Sequence, residues 1–147
     1  MSVGRICVRS VDIAEMSESA TVAARRMRDR NVGSLVVVDR ERHPFGLITD
    51  RDLTMRVLAE GRDPNQTLVS EVMTRLPHTV REEAPIEEAL GLMRSGAFRR
   101  LPVVDQDRRL VGVLCLDDVL GLLAEEFGEV RTLLRKESPE SLAASQP

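Results

Sequence analysis

The sequence predicts a mixed α/β (α+β) fold in which tandem β-α-β-β-α repeats pack sheet to sheet with pseudo-two-fold symmetry. Three observations predict it. The first is self-similarity at one offset. Placing Ala23 on Ala89 (89 − 23 = 66) also aligns Met27 with Met93, Arg28 with Arg94, Leu35 with Leu101, Val37-Val38-Asp39 with Val103-Val104-Asp105, Arg42 with Arg108, Gly46 with Gly112 and Asp52 with Asp118. That is ten identities in the thirty positions 23–52, where composition alone would give about two. The second is a change of hydrophobic period at the same place in each copy, from helical steps to short β-branched runs. The third is composition: 42% hydrophobic, 31% charged, three Phe and neither Trp nor Tyr, a globular balance that requires an aliphatic core.

In the first copy, residues 8–14 read as a short leading strand. Ala20, Ala23, Ala24 and Met27 then recur at helical spacing within 19–31. The run 34–38 (SLVVV) reads as a strand, followed by Asp39 and a polar turn; residues 45–49 form the return strand, and a helix opens at Asp50. The second copy repeats the order: 77–80 as leading strand, a helix over 85–96 on Ile86, Ala89, Leu90 and Met93, strands at 101–104 and 110–115, and a helix opening at Leu116. One such unit of about 60 residues buries little surface alone, so two are expected to share a core. Between them a Gly/Pro/Asn loop at 61–65 leads to a short helical stretch at 68–74. The division is therefore 1–66 for the first repeat and 67–136 for the second, with a disordered tail, 137–147, that is small and polar.

A net charge of −3 with both signs interspersed offers no broad basic footprint, so nucleic acid is an unexpected partner despite Arg25, Arg26, Arg28 and Arg30 on one helix. No stretch approaches the ~20 apolar residues of a membrane span, and the N-terminus lacks a basic-then-apolar leader. A cytoplasmic location is expected. Cys7 and Cys115 lie far apart in apolar runs, without His or Cys neighbours at ligand spacing, and are expected to be reduced and buried. His43 and His78 lie in polar stretches beside prolines, and no Ser-His-Asp or Cys-His pairing emerges, so an enzyme and a catalytic cofactor are not expected.

The strongest local signal is Gly46-Leu47-Ile48-Thr49-Asp50-Arg51-Asp52, a strand ending in a hydroxyl residue with a carboxylate three positions on, inside the first helical turn. A helix N-terminus and a Thr hydroxyl suit phosphate, an Asp carboxylate suits the two hydroxyls of a ribose, and Gly46 admits close backbone approach. The same residues, Thr49 as N-cap and Asp52 three on, also make a capping-box arrangement that needs no ligand.

A duplicated unit whose strand pair ends in Gly-hydrophobic-x-Thr-x-x-Asp resembles the CBS domain, usually found in pairs called Bateman modules. The resemblance covers roughly residues 5–136, and the runs 35–39 and 101–105 are similar to the family's central strand and turn. It implies that Thr49 and Asp52 contact the phosphate and ribose of an adenine nucleotide or adenosyl compound such as AMP, ADP or ATP. The second copy departs from the pattern: Cys115 stands where the hydroxyl is expected, which puts a phosphate contact there in doubt while Asp118 keeps a ribose contact. Arg99 and Arg100 occupy a place where family members often carry phosphate-binding cations; strand alternation admits only one of them to the cleft. The base is expected among Val11, Asp12, Ile13 and Ala14, or Thr79 and Val80, which read equally well as core strands. Asp39 and Asp105 read as hairpin residues, and Asp117 as a partner of its helix dipole.

The function implied is a regulatory sensor that binds its nucleotide between the repeats, forms a homodimer and acts on an unknown effector protein in trans. The alternative is a ligand-free interaction module that dimerises through helical faces around Leu53, Val57 and Leu58, or Val119, Leu122 and Leu123.

Overall fold

The computed structural model describes residues 1–76, 78–96 and 99–136. In the first repeat, β1 (Ile13–Glu15) runs parallel to β2 (Ser34–Val38), which pairs antiparallel with β3 (Pro44–Thr49). Helix α1 (Ala20–Arg30) crosses between β1 and β2. It starts where Ser19 Oγ accepts the Val22 N–H at 3.2 Å and stops at Asn31, which takes the left-handed conformation (φ 53°) that ends many helices. In the second repeat β5 (Val80–Arg81) lies parallel to β6 (Arg100–Val104), β6 pairs antiparallel with β7 (Leu110–Cys115), and α4 (Ile86–Gly96) is the crossover. Both hairpins carry a register irregularity at the equivalent place, Val37/Val38 and Val103/Val104, so the duplication extends to backbone detail.

Each central strand is buried on both faces. Leu35 and Val37 face a helical core with Ala23, Met27 and Ile48; Leu101 and Val103 do the same with Ala89, Met93 and Leu114. The alternate residues Val36 and Val38 turn the other way and join Val11, Ile13, Leu47, Leu110 and Val113 in a third cluster, which is the contact between the two sheets. Two repeats that each bury one sheet face against helices bury the other against one another.

The leading segments are exchanged. Val3, in a short 3-10 turn (Val3–Arg5), is buried in the second repeat's core, and Val3 and Gly4 donate to the carbonyls of Ala84 and Glu82, each at 2.8 Å. Val8 bridges antiparallel to Val113. Reciprocally, the one-turn helix α3 (Val69–Val72) and Met73 pack in the first repeat's core, and β4 (Thr74–Arg75) is the edge strand beside β3. Val8 and Thr74 are themselves 66 apart (74 − 8), so the exchange obeys the same symmetry.

Several sequence expectations are corrected. The leading strands shrink to Ile13–Glu15 and Val80–Arg81, because residues around Val8 serve the other repeat's sheet; Pro77 lies outside the described residues, as does the expected tail over 137–147. The helical stretch at 68–74 ends at Val72, where Met73 turns extended (ψ 157°) to enter β4. Helix α2 (Asp50–Leu53) passes directly into a π-helical turn (Thr54–Leu58). Helix α5 (Leu116–Lys136) closes the described chain, and no helix among the described residues is long and apolar enough to cross a membrane.

Candidate functional site

Two clefts related by the repeat symmetry open between the sheets. The first, about 350 Å³, is lined by Ser10, Val11, Asp12, Gly33, Ser34 and Val36 of repeat one, with Arg100, Val113 and Cys115 across from them. The second, about 570 Å³, is lined by Leu47, Thr49 and Thr74, by Leu76, whose N–H donates to the Phe45 carbonyl of β3, and by Arg99, Arg100, Cys115, Asp117 and Asp118 of the second repeat. Shifting Gly33 and Ser34 by 66 lands on Arg99 and Arg100. The second cleft thus holds two guanidinium groups where the first has a glycine and a serine, and its volume is in the range of small-ligand pockets.

The intact motif of repeat one is closed on itself. Thr49 Oγ1 accepts the Asp52 N–H at 3.1 Å and Asp52 Oδ2 accepts the Thr49 N–H at 3.0 Å, a complete capping box at the head of α2. The other carboxylate oxygen, Oδ1, accepts the Thr74 hydroxyl at 3.0 Å and lies 3.9 Å from Arg56 Nε. Asp52 is 7% exposed, and both of its oxygens are engaged. Arg56 also donates to the carbonyls of Val72 and Met73, tying the π-helical turn to the linker that carries Thr74. Gly46 serves the same junction: a Cβ there would lie 2.4 Å from the Thr74 carbonyl oxygen, so the close approach it permits is that of β4. Asp50 and Arg51 are exposed and line neither cleft; Asp50 Oδ1 accepts the Arg51 N–H. Of the first motif, Thr49 reaches a cleft, and its acceptor role in the cap leaves the hydroxyl proton to donate.

The second motif is open. Asp118 is exposed on the wall of the second cleft and its carboxylate has no hydrogen-bond partner among the described residues; Val8 and Leu122 stand where Thr74 and Arg56 stand in the other copy. Burial pushes the Cys115 thiol up in pKa against the opposing pull of Arg100, so it is a neutral, weak donor at the cleft wall. Cys7 and Cys115 are free but only half-buried, a correction to the expected full burial; Cys7 follows the N-terminal turn rather than lying in a strand.

Both Arg99 and Arg100 line the second cleft, against the expectation that alternation admits one. Strand β6 begins at Arg100, so Arg99 lies before the pleat and alternation does not govern it. Arg100 donates to Ser34 Oγ at 2.8 Å across the repeats, and Arg99 pairs with Asp117 at 3.3 Å in an exposed contact of small energy. Of the expected base-lining residues, Val11 and Asp12 line the first cleft, while Ile13 packs between the sheets. Ala14 and Val80, 0% and 2% exposed, point into the helical cores, and Thr79 is exposed away from both clefts. Thr74, Ser34 and Leu76 were not singled out from sequence; Thr74 carries one readable signal, its place 66 residues after Val8.

Asp39, Glu41 and His43 bring donor atoms within 4.8 Å of one another in the β2–β3 turn. Asp39 Oδ1 accepts the N–H groups of Glu41 and His43, both at 2.9 Å, and Oδ2 meets His43 Nδ1 at 3.0 Å. Asp105 caps the equivalent turn through Asp107 and Arg109 without a histidine, so turn geometry accounts for the cluster.

The CBS domain model matches residues 3–59 and 69–125, one copy on each repeat. The chain belongs to the CBS domain family. It is 35% identical over 120 residues to an uncharacterised protein of Methanopyrus kandleri, an alignment that takes in 82% of this chain and 61% of that one, so it spans about three fifths of that relative's length. It is similar in structure to Hypoxic Response Protein I, a protein of Mycobacterium tuberculosis solved with two coordinated zinc ions, with a TM-score of 0.72, 31% identity, and coverage of 82% of this chain and 97% of that one. The CBS domain protein PAE2072 of Pyrobaculum aerophilum, solved in complex with AMP, shares the fold at a TM-score of 0.69 and 23% identity, over 80% of this chain and 89% of that one.

Proposed function

We propose that this CBS pair is a non-enzymatic regulatory module that takes an adenine nucleotide or adenosyl ligand in the second cleft, as a homodimer acting on an effector protein in trans. The observation that carries the reading is the second cleft's donor set. Asp118 offers an unengaged carboxylate to the paired hydroxyls of a ribose, while Arg99, Arg100 and the Thr49 hydroxyl supply charge-assisted donors to phosphate. Leu47 and Leu76 give the cleft apolar wall. Thr49 and Leu47 come from one repeat and Arg99, Arg100 and Asp118 from the second, so an occupant bridges the sheets and favours one packing of the lobes over others.

The test is a thermal-shift and calorimetric titration with AMP, ADP, ATP, NAD and S-adenosylmethionine. A saturable rise in melting temperature with one of them is the expected result, since a ligand of the folded state stabilises it by mass action. No shift at millimolar concentration with any of the five would overturn the nucleotide reading and favour the ligand-free interaction module.

A further inference from the structure

Among the described residues, the C-terminal part of α5 has no core to rest on. Every residue from 123 to 136 is exposed. Leu120, Leu123, Phe127, Val130 and Leu134 are 40–71% exposed, and they follow one another at steps of 3, 4, 3 and 4 residues, the a/d seam of a heptad repeat. Glu125, Glu129 and Thr132 lie on the opposite face. A free helix of about fourteen residues is marginal in water, and Gly128 within it costs about 1 kcal/mol relative to alanine. The CBS domain match ends at residue 125, so this stretch lies beyond what the repeat itself requires.

We propose that the seam is covered by the same helix of a second copy, in a parallel two-stranded coiled coil. Flanking charge selects both the occupant and the orientation. With Leu120, Phe127 and Leu134 at a and Leu123 and Val130 at d, Glu126 falls at g and Arg131 at the following e. In a parallel pair each g residue faces the following e of its neighbour, so Glu126 meets the partner subunit's Arg131 and, by two-fold symmetry, the reverse pair forms as well. An antiparallel pair sets g against g and e against e and loses both. The arrangement gives the homodimer of the proposed function its surface, and it does not depend on a nucleotide in the cleft.

Analytical ultracentrifugation of the full chain tests it. A dimer is expected, with its dissociation constant raised at least tenfold by Phe127→Glu, an exposed position whose change leaves the core intact. Glu126→Arg weakens the dimer several-fold and adding Arg131→Glu restores it. In a Cys7→Ser, Cys115→Ser background, Leu134→Cys gives a disulfide-linked dimer on oxidation, as only parallel helices place that residue beside its copy. A monomer at about 100 µM, a dimer indifferent to Phe127→Glu, or a dimer without the Leu134→Cys cross-link overturns the proposal. AMP titration of the unsubstituted chain and of Phe127→Glu, neither of which alters the cleft, reads the cleft separately, so failure of nucleotide binding and failure of the helix pairing are distinguishable.

Discussion

The two repeats share a backbone down to the position of an irregular hydrogen bond, yet they treat the carboxylate at the head of the second helix in opposite ways. Asp52 sits in a motif with its threonine intact and is sealed by Thr49, Thr74 and Arg56. Asp118 sits in a motif that has lost its hydroxyl to Cys115 and faces an open cleft. Two of the residues that differ around them lie in neither motif: Arg56 or Leu122 on the helix that follows, and Thr74 or Val8 on the segment exchanged from the other repeat. A motif match therefore identifies a position, and the packing around it decides whether that position serves stability or a ligand.

The sharpest way to break this comparison is to remove each carboxylate in turn. Asp52→Ala strips the capping box and leaves the Thr74 hydroxyl and the Thr49 N–H without their acceptor, and it is expected to cost about 2–3 kcal/mol by urea denaturation. Asp118→Ala is expected to leave the denaturation midpoint unchanged and to weaken nucleotide binding by about ten- to a hundredfold by calorimetry, the worth of charge-assisted hydrogen bonds to one group. Equal effects of the two substitutions on binding would erase the distinction between a sealed and an open site.

Exchanging Thr74 and Val8 sharpens it. Thr74→Val removes one hydrogen bond to Asp52 and is expected to cost about 1 kcal/mol in the same denaturation assay. Val8→Thr offers Asp118 the seal that its copy has, and weaker nucleotide binding is its expected result. Unchanged binding would show that the leading segment does not control the second carboxylate.

The smallest effect concerns a difference in how the repeats hold their crossover helices. In repeat one Arg26 grips Glu18 through two contacts, at 2.6 and 2.9 Å, and donates to the Ile13 carbonyl. The equivalent positions in repeat two are Ala84 and Leu92, both in the apolar cluster. The Arg26 hydrogen bonds hold the Glu18 carboxyl below its ordinary pKa despite partial burial. A depressed folded-state pKa contributes stability that is present above the unfolded value and is lost as pH falls through the folded one. Glu18→Gln is thus expected to cost about 1 kcal/mol at pH 7, and the gap from the unsubstituted protein is expected to close on acidification below the ordinary glutamate range. A gap that persists at low pH would assign the loss to packing instead of charge.

Much of this was legible beforehand, for identifiable reasons. Helices α1 and α4 and the strand pairs follow from periods of a few residues, and the offset of 66 made each copy a check on the other. Where legibility failed, the cause was a contact between distant segments. The run 68–74 looked helical by local composition, and its end became a strand because β3 offered an unpaired edge beside Gly46. Alternation admits one of Arg99 and Arg100 to the cleft, yet both line it, because the strand starts at Arg100 and Arg99 lies before the pleat.

The sequence alone determined the duplication, the aliphatic cores and the family, because these rest on local periodicity and on residue identities repeated along one chain. Only the tertiary structure decided which of two similar carboxylates is available. Availability is set by the path of the linker that brings Thr74 to Asp52 across 22 residues and by the N-terminal segment that brings Val8 to the other sheet; the offset of 66 relates the two segments to each other, but no local period tells which sheet either one joins.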